Sequence, residues 1–399
     1  MHAGAGQLGQ GRSRSGFFER ILDRIDAGID AGSIDVIRPD GSRRTLGSRA
    51  PGPAAMVEFR SWHALLRLGL SGSGGWFEAW KAGEWTSPDS VQVFAVFGRN
   101  RVALARPARA SGPWRLAKRV WHWLNRNSRA GSRKNINFHY DLGNDFYAQW
   151  LDAGMTYSSA LFASPDQSLE DAQAAKLVAM LERTGTTPGE TILEIGCGWG
   201  SFAEVALAAG SEIHGITLST EQLAYARARN PTGVFSLTDY RDVTGSYDAV
   251  VSIEMAEAVG REYWSDYLAA IAKALRPGGR AALQIITFDD ALFEDYAANV
   301  DFIQTYVFPG GLLISESAFR KLAAANGLEW RDQVNLGASY AETCKRWREN
   351  FDAAVAAGTL PKQFDARFID LWRYYLMYCE GGFRGGGIDV VQVTLVKGE

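Results

Sequence analysis

The sequence predicts an α/β protein: an open, mostly parallel sheet with helices on both faces, behind a smaller N-terminal α+β domain. Three observations predict it. From about residue 135, short apolar runs alternate with segments of helical spacing, the pattern of strand–helix–strand units. One apolar run ends on Glu194, continues through Gly196, Gly198 and Gly200, and gives way to helical spacing at Ser201. Such a strand-to-helix turn lets backbone approach a nucleotide-like ligand where a Cβ would collide with it. The length of 399 residues exceeds one average domain, so two are expected.

In chain order, residues 1–15 are rich in Gly, Ser and Arg and read as a disordered tail. Residues 16–100 form an accessory domain without a catalytic constellation. It holds a helix over 17–29, strands over 33–37, 55–59 and 91–97, and a Gly-rich stretch over 68–75. That stretch leads into an aromatic, helically spaced segment over 76–85. Residues 101–134 are a basic, tryptophan-bearing linker. The remaining 135–399 hold strands over 191–195, 212–217, 234–238, 249–253, 281–287 and 390–396. Helices fall over 201–209, 220–229, 262–275 and 316–325. Ligands of such sheets sit at the carboxyl ends of the strands, here near 196–200, 217–222, 239–241 and 252–257.

The net charge of −3 hides an asymmetry: residues 1–134 carry 22 Lys and Arg against 10 Asp and Glu. Within 101–134 no acidic residue occurs. If 113–126 is helical, Trp114, Ala117, Trp121 and Leu124 share a face, while Arg115, Lys118, Arg119 and Arg126 lie largely off it. That suits the headgroup layer of an anionic membrane; a solvated interdomain linker accounts for the same residues equally well. No nucleic-acid-binding module surrounds the charge, so nucleic acid is not an expected partner. No apolar run of bilayer-spanning length is present, and the polar N-terminus lacks the apolar core of a secretory signal. Cys197, Cys344 and Cys379 are too few and too scattered for a disulfide frame or a zinc site. A cytoplasmic protein without a metal is expected.

The G-x-G-x-G spacing differs from the G-x-G-x-x-G of dinucleotide binders, so a pyrophosphate cradle is not the first reading. Thr217, Leu218, Ser219 and Gln222 end the second strand without a charge, and Ser219 reads equally as a helix N-cap. Asp239, Tyr240 and Arg241 end the third strand, as a ligand contact or as a surface turn. Glu254 and Glu257 follow an apolar strand, where burial makes carboxylates candidates for shifted pKa values and function. A first-turn helix acid is the alternative.

The glycine turn resembles the first motif of S-adenosylmethionine-dependent methyltransferases, and other segments narrow the resemblance. NINFHYDLGNDFYAQWLDAGMTYSSALF (135–162), LEIGCGWG, GITLSTEQ, DYRD (239–242), AEAVG (256–260), FPGG (308–311) and YYLMYCEGGFRGGGIDVVQV (374–393) occur in order. They are similar to cyclopropane-fatty-acyl-phospholipid synthases and the related mycolic acid cyclopropane synthases over 135–399, and more loosely over 16–100. The resemblance implies a Rossmann-like seven-stranded methyltransferase sheet. It assigns S-adenosylmethionine to Tyr157, Ser158, Glu194, Gly196, Gly198, Gly200, Thr217, Leu218, Ser219, Gln222, Asp239, Tyr240 and Arg241. It implies transfer of a methyl(ene) group to a cis double bond of a phospholipid acyl chain, at the anionic inner face of a membrane. A homodimer is left open, and so is a non-catalytic lipid- or cofactor-binding homologue. An alkene is a weak nucleophile, and its methylation leaves a carbocation. Aromatic faces stabilise such charge by about 1–2 kcal/mol each when desolvated; Phe138, Tyr140, Phe146, Tyr147 and Tyr157 are the expected faces.

In the resembling enzymes a bound bicarbonate takes the proton released on ring closure. The glutamate that holds it matches Glu257, the tyrosine matches Tyr340, and a backbone contact matches Ile286. The usual cysteine is replaced by Ser159 and the usual histidine by Gln284. Both replacements offer hydrogen bonds but neither offers the charge tuning of thiolate or imidazole. Cyclopropane formation is the first reading; loss of a neighbouring proton, giving a methylated or methylene-branched chain, is the alternative. Cys379 occupies a position to which the family's activity has been tied, or serves as a small buried hydrophobe.

Overall fold

The computed structural model describes residues 8–104 and 142–399. Residues 105–134 of the basic linker, and Phe138, His139, Tyr140 and Asp141, lie outside the described residues. Helix α1 (Leu8–Ala27) begins inside the segment expected to be a disordered tail. Phe18, Leu22, Ile25 and Ile29 recur at helical spacing and are buried, which anchors the helix from its C-terminal half.

A four-stranded sheet follows, in the order β2 (Arg43–Gly47), β1 (Ser33–Ile37), β3 (Ala54–Phe59), β4 (Trp85–Thr86). Strand β1 is antiparallel to β2 and parallel to β3. Helix α2 (His63–Lys81) connects β3 to β4, so the Gly-rich stretch is helical except for a break at Gly72, where φ is 60°. The run expected as a strand over 91–97 is helix α3 (Ser90–Arg99). Its Val and Phe residues mimic a buried strand, but Asp89 caps it by accepting from the Val91 and Gln92 amides. A cap of this kind specifies a helix whatever the β-propensity that follows. Helix α4 (Arg101–Leu104) closes the segment.

The second sheet runs in the order β11 (Leu328–Asn335), β12 (Ile388–Lys397), β9 (Leu275–Phe288), β8 (Tyr247–Ile253), β5 (Thr191–Ile195), β6 (Glu212–Thr217), β7 (Val234–Leu237). The short β10 (Ile314–Ser315) lies beside the end of β9. Pairs from β9 to β7 are parallel, whereas β12 is antiparallel to both β9 and β11. This is the expected mostly parallel methyltransferase sheet. Helices α6 (Leu169–Thr184), α7 (Ser201–Ala208), α8 (Thr220–Arg229), α9 (Trp264–Ala274) and α12 (Glu316–Ala325) pack on it, after a short α5 (Asn144–Tyr147). The short helices α10 (Phe293–Ala297) and α11 (Phe302–Tyr306) follow β9, and the long α13 (Gly337–Ala357) and α14 (Ala366–Gly385) precede β12.

The two sheets are joined by helix packing. Helix α3 lies along α14, and a Cβ on Gly381 would stand 2.4 Å from the Phe94 Cβ; only glycine admits that approach. Phe77 on α2 meets Phe302 and Tyr374 at centroid distances of 5.0 and 4.9 Å. Arg101 reaches Asp289 at 2.6 Å. One apolar core therefore runs from Phe18 through Trp76 and Phe94 to Tyr340, Trp372 and Val390.

Candidate active site

A chamber of about 670 Å³ lies at the carboxyl ends of β5, β6 and β8. The second sheet supplies the glycine turn, Thr217, Tyr240, Glu254 and Glu257; the accessory domain supplies Ser71–Ser73, Trp76 and Phe94. The accessory domain thus builds part of the wall, a role that its lack of catalytic motifs did not reveal.

Gly198 has a φ of 52°, and nothing lies within 4 Å of the point where its Cβ would stand. It borders the chamber, as do Tyr157, Ser158, Glu194, Gly196, Thr217, Leu218, Gln222 and Tyr240. Gly200 does not: a Cβ there would stand 2.6 Å from Asn230 Nδ2, so its lack of a side chain serves packing on α8. Ser219 caps α8 by accepting from the Gln222 amide. Asp239 and Arg241 are also withdrawn from the chamber, and hold each other through two side-chain hydrogen bonds of 2.8 and 2.7 Å. Arg241 lies 5.1 Å over the ring of Tyr240. The Asp239 carboxylate, expected to accept from an adenine amino group, also holds Arg241, the residue that backs Tyr240.

Several features fit S-adenosylmethionine. The open space at Gly198 is a cradle that a side chain would fill. Glu194 is buried, and its Oε2 has no hydrogen-bond partner among the described residues; a buried acceptor left unpaired suits a ligand bearing a cationic donor. Burial pushes its carboxyl up to about 8, against the pull of Lys176. Thr217 donates to Gln222 Oε1 at 2.9 Å, which leaves the Gln222 amide nitrogen as a donor for a ligand hydroxyl.

Of the aromatic faces expected near the reacting carbon, Phe146 and Tyr147 are fully buried and do not border the chamber. Phe146 packs among Phe364, Phe368 and Trp372 at 4.9–5.3 Å, so it belongs to the core behind the wall. Tyr157 does face the chamber, with its hydroxyl 2.8 Å from that of Tyr375. Phe138 and Tyr140 are among the residues not described.

The expected anion contacts take a different form. Glu254, with φ at 50°, turns its side chain into a ring of donors. Its Oε1 accepts from the Ser159 backbone amide at 2.8 Å and from Gln284 Nε2 at 2.8 Å. Its Oε2 accepts from the Tyr340 hydroxyl at 2.7 Å. Glu257 Oε1 accepts from the Ile286 amide, and its Oε2 is buried without a partner among the described residues. Ser159 and Gln284 do not border the chamber. The Ser159 hydroxyl donates to the Ala160 carbonyl, and Gln284 is fixed from behind by Gln392 Nε2 at 3.0 Å. Both hold the Glu254 side chain in place.

Electrostatics divides the two glutamates. Burial raises the Glu254 carboxyl, while its three hydrogen bonds and the Lys176 charge pull it back. Burial and the Glu254 charge push Glu257 up to about 8. Three donors converge on Glu254 and favour its charged form, whereas Glu257, at about 8, is held as the neutral acid at pH 7. Lys176 is fully buried, pushed down to about 8, and donates to Ser158 Oγ at 2.6 Å. Cys379 borders the chamber, but burial pushes its thiol far up, so it adds wall rather than charge.

A family model for mycolic acid cyclopropane synthetase matches residues 127–393. The chain belongs to this family. Tuberculostearic acid methyltransferase of Mycobacterium tuberculosis is 39% identical over 356 residues, covering 83% of this chain and 80% of that protein. Cyclopropane-fatty-acyl-phospholipid synthase of Escherichia coli K12 is 36% identical over 266 residues, covering 65% of this chain and 67% of that protein. A solved cyclopropane synthase from Mycobacterium tuberculosis superposes with a TM-score of 0.62 at 31% identity, over 66% of this chain and 98% of its own. Within this family member, Lys176 and the holding role of Glu254 escaped sequence reading. Lys176 looks like any exposed helix lysine in sequence. Glu254 was visible as a strand-end acid, yet nothing local indicates that Tyr340, 86 positions away, donates to it.

Proposed function

We propose that the chain is an S-adenosylmethionine-dependent C-methyltransferase acting on a cis double bond of a phospholipid acyl chain, with closure to a cyclopropane. The observation that carries this reading is the chamber itself. It joins a glycine cradle at the end of β5 to a largely apolar wall reaching α2, with a half-buried pair of carboxyl groups between. Glu194, Gly196, Gly198, Thr217, Gln222 and Tyr240 would hold S-adenosylmethionine. When bound, it supplies an electrophilic methyl group.

The chain's own residues do the rest. Apolar enclosure excludes water, which would otherwise capture a carbocation. Tyr157, fixed by Tyr375, offers a ring face to developing positive charge. The carboxylate of Glu254 offsets that charge in a site where charges are poorly screened. Family membership and the 39% identity to tuberculostearic acid methyltransferase also support a second reading, a branched chain without a ring. Ser159 and Gln284 favour it by bringing no titratable group to the site. Among the described residues no helix is long and apolar enough to cross a membrane. The substrate's location supports peripheral docking at the inner membrane face.

Purified protein, methyl-labelled S-adenosylmethionine and vesicles of cis-unsaturated phospholipid test the proposal. Label should enter the acyl chains, and vesicles of saturated phospholipid should take up none. Label found only in headgroups would overturn the acyl-chain assignment.

A further inference from the structure

The site that sequence assigns to bicarbonate does not fit a free anion. Each expected donor is already engaged within the chain, the Ser159 hydroxyl by the Ala160 carbonyl. The Ser159 amide, Gln284 Nε2 and the Tyr340 hydroxyl all donate to Glu254, and the Ile286 amide donates to Glu257. An added anion would also meet the charge of Glu254, on which three of these donors converge. Glu254 borders the chamber, whereas Ser159 and Gln284 behind it do not. A carboxylate offers about four acceptor positions. Three are filled here, two on Oε1 and one on Oε2, so one remains on Oε2.

We propose that Glu254 is the built-in base of this enzyme, taking the proton from the methylated acyl chain in place of any bound anion. The inference rests on the acyl-chain reading above. The alkene's π pair forms the new carbon–carbon bond as the carbon–sulfur bond breaks toward sulfur, leaving positive charge on the second alkene carbon. Glu254 Oε2 accepts one proton from the transferred methyl group. The electron pair of that C–H bond closes onto the cationic carbon as the third side of the ring. Glu254 is left as a neutral acid, stays hydrogen-bonded to Tyr340, and returns its proton to solvent after product leaves.

The left-handed backbone at 254 makes a clean test available. Glycine is relaxed at that φ, so Glu254→Gly removes the carboxylate while leaving three donors aimed at the vacated space. Full-length wild type should be assayed with methyl-labelled S-adenosylmethionine and unsaturated vesicles, in buffer stripped of bicarbonate and again with bicarbonate added. Wild-type turnover should be equal in the two. Glu254→Gln should lose about 100-fold or more, the ordinary cost of removing a general base. Glu254→Gly should be as slow, and formate or bicarbonate should restore at least about tenfold by filling the space. Cofactor binding by calorimetry verifies that each variant is folded. Wild-type turnover that collapses without bicarbonate, or Glu254→Gln turnover within about threefold of wild type, would overturn the assignment. Absence of labelled acyl product from wild type under both conditions would instead sink the acyl-chain reading.

Discussion

Replacing Tyr340 by Phe removes one hydroxyl and little else. The Tyr340 ring stacks on Phe383 at 4.4 Å and meets Trp347 edge-on at 5.9 Å, and Phe retains both contacts. Burial and the Glu254 charge hold the phenol well above its ordinary pKa, so it is the donor in its 2.7 Å bond to Glu254. A hydrogen bond to a charged group contributes about 1.5–3 kcal/mol, and one pKa unit corresponds to about 1.4 kcal/mol. Loss of the hydroxyl should therefore raise the Glu254 pKa by about 1–2 units. A base must be ionised to act, so the ascending limb of kcat/KM against pH should move up by the same amount. Below that limb the rate should fall about 10- to 100-fold, with recovery toward the plateau at high pH. Steady-state rates with unsaturated vesicles across pH 5–9 read this directly, with melting temperature as a control on the fold. A uniform loss across pH, without movement of the limb, would refute the idea that Tyr340 works through the ionisation of Glu254.

Other substitutions probe neighbouring parts of the site. Gly198→Val should reduce S-adenosylmethionine affinity at least about tenfold by calorimetry, because the side chain fills the cradle at a φ that L-residues rarely adopt. Glu257→Gln replaces an acid that is still neutral while Glu254 ionises, so the ascending limb should stay in place. The same variant tests linkage. Glu257 titrates near 8 in the folded state against 4.5 ordinarily, so the native state binds more protons between those values and stability falls as pH rises from about 4.5 to 8. Chemical denaturation at pH 5 and pH 8 should show a smaller fall for Glu257→Gln than for wild type. Replacing Arg115, Lys118, Arg119 and Arg126 by Gln should weaken sedimentation with anionic vesicles and flatten its salt dependence; unchanged binding would leave the segment a linker.

Much of the catalytic sheet was legible because its strands are short apolar runs bounded by turn residues. Strands β5 and β6 and helices α8 and α12 match the sequence-derived ranges to the residue. Helix α3 misled because its Val and Phe residues are buried against α14 and so carry no helical alternation of polar and apolar. The cofactor turn was readable since its glycines are local signals. The chemistry of the anion site was not, because it depends on which groups meet across the fold. Glu254, Ser159, Gln284 and Tyr340 come from four separate segments, and only their convergence in the fold reveals the ring of donors around the Glu254 carboxyl. Phe146 failed for the reverse reason: a motif rich in aromatics says nothing about which rings face a cavity and which fill a core.

Acyl-chain methylation is tested most directly by growing cells that express the protein on methyl-deuterated methionine and analysing phospholipid acyl chains. Mass spectrometry should find a methylene-extended chain carrying two of the three deuterium atoms, since one leaves to Glu254, and NMR of the same lipid from unlabelled cells should give upfield cyclopropane protons. Chains retaining all three deuterium atoms with no upfield signal would contradict proton removal from the transferred methyl group and favour the branched product. Acyl chains without any deuterium would contradict the account as a whole.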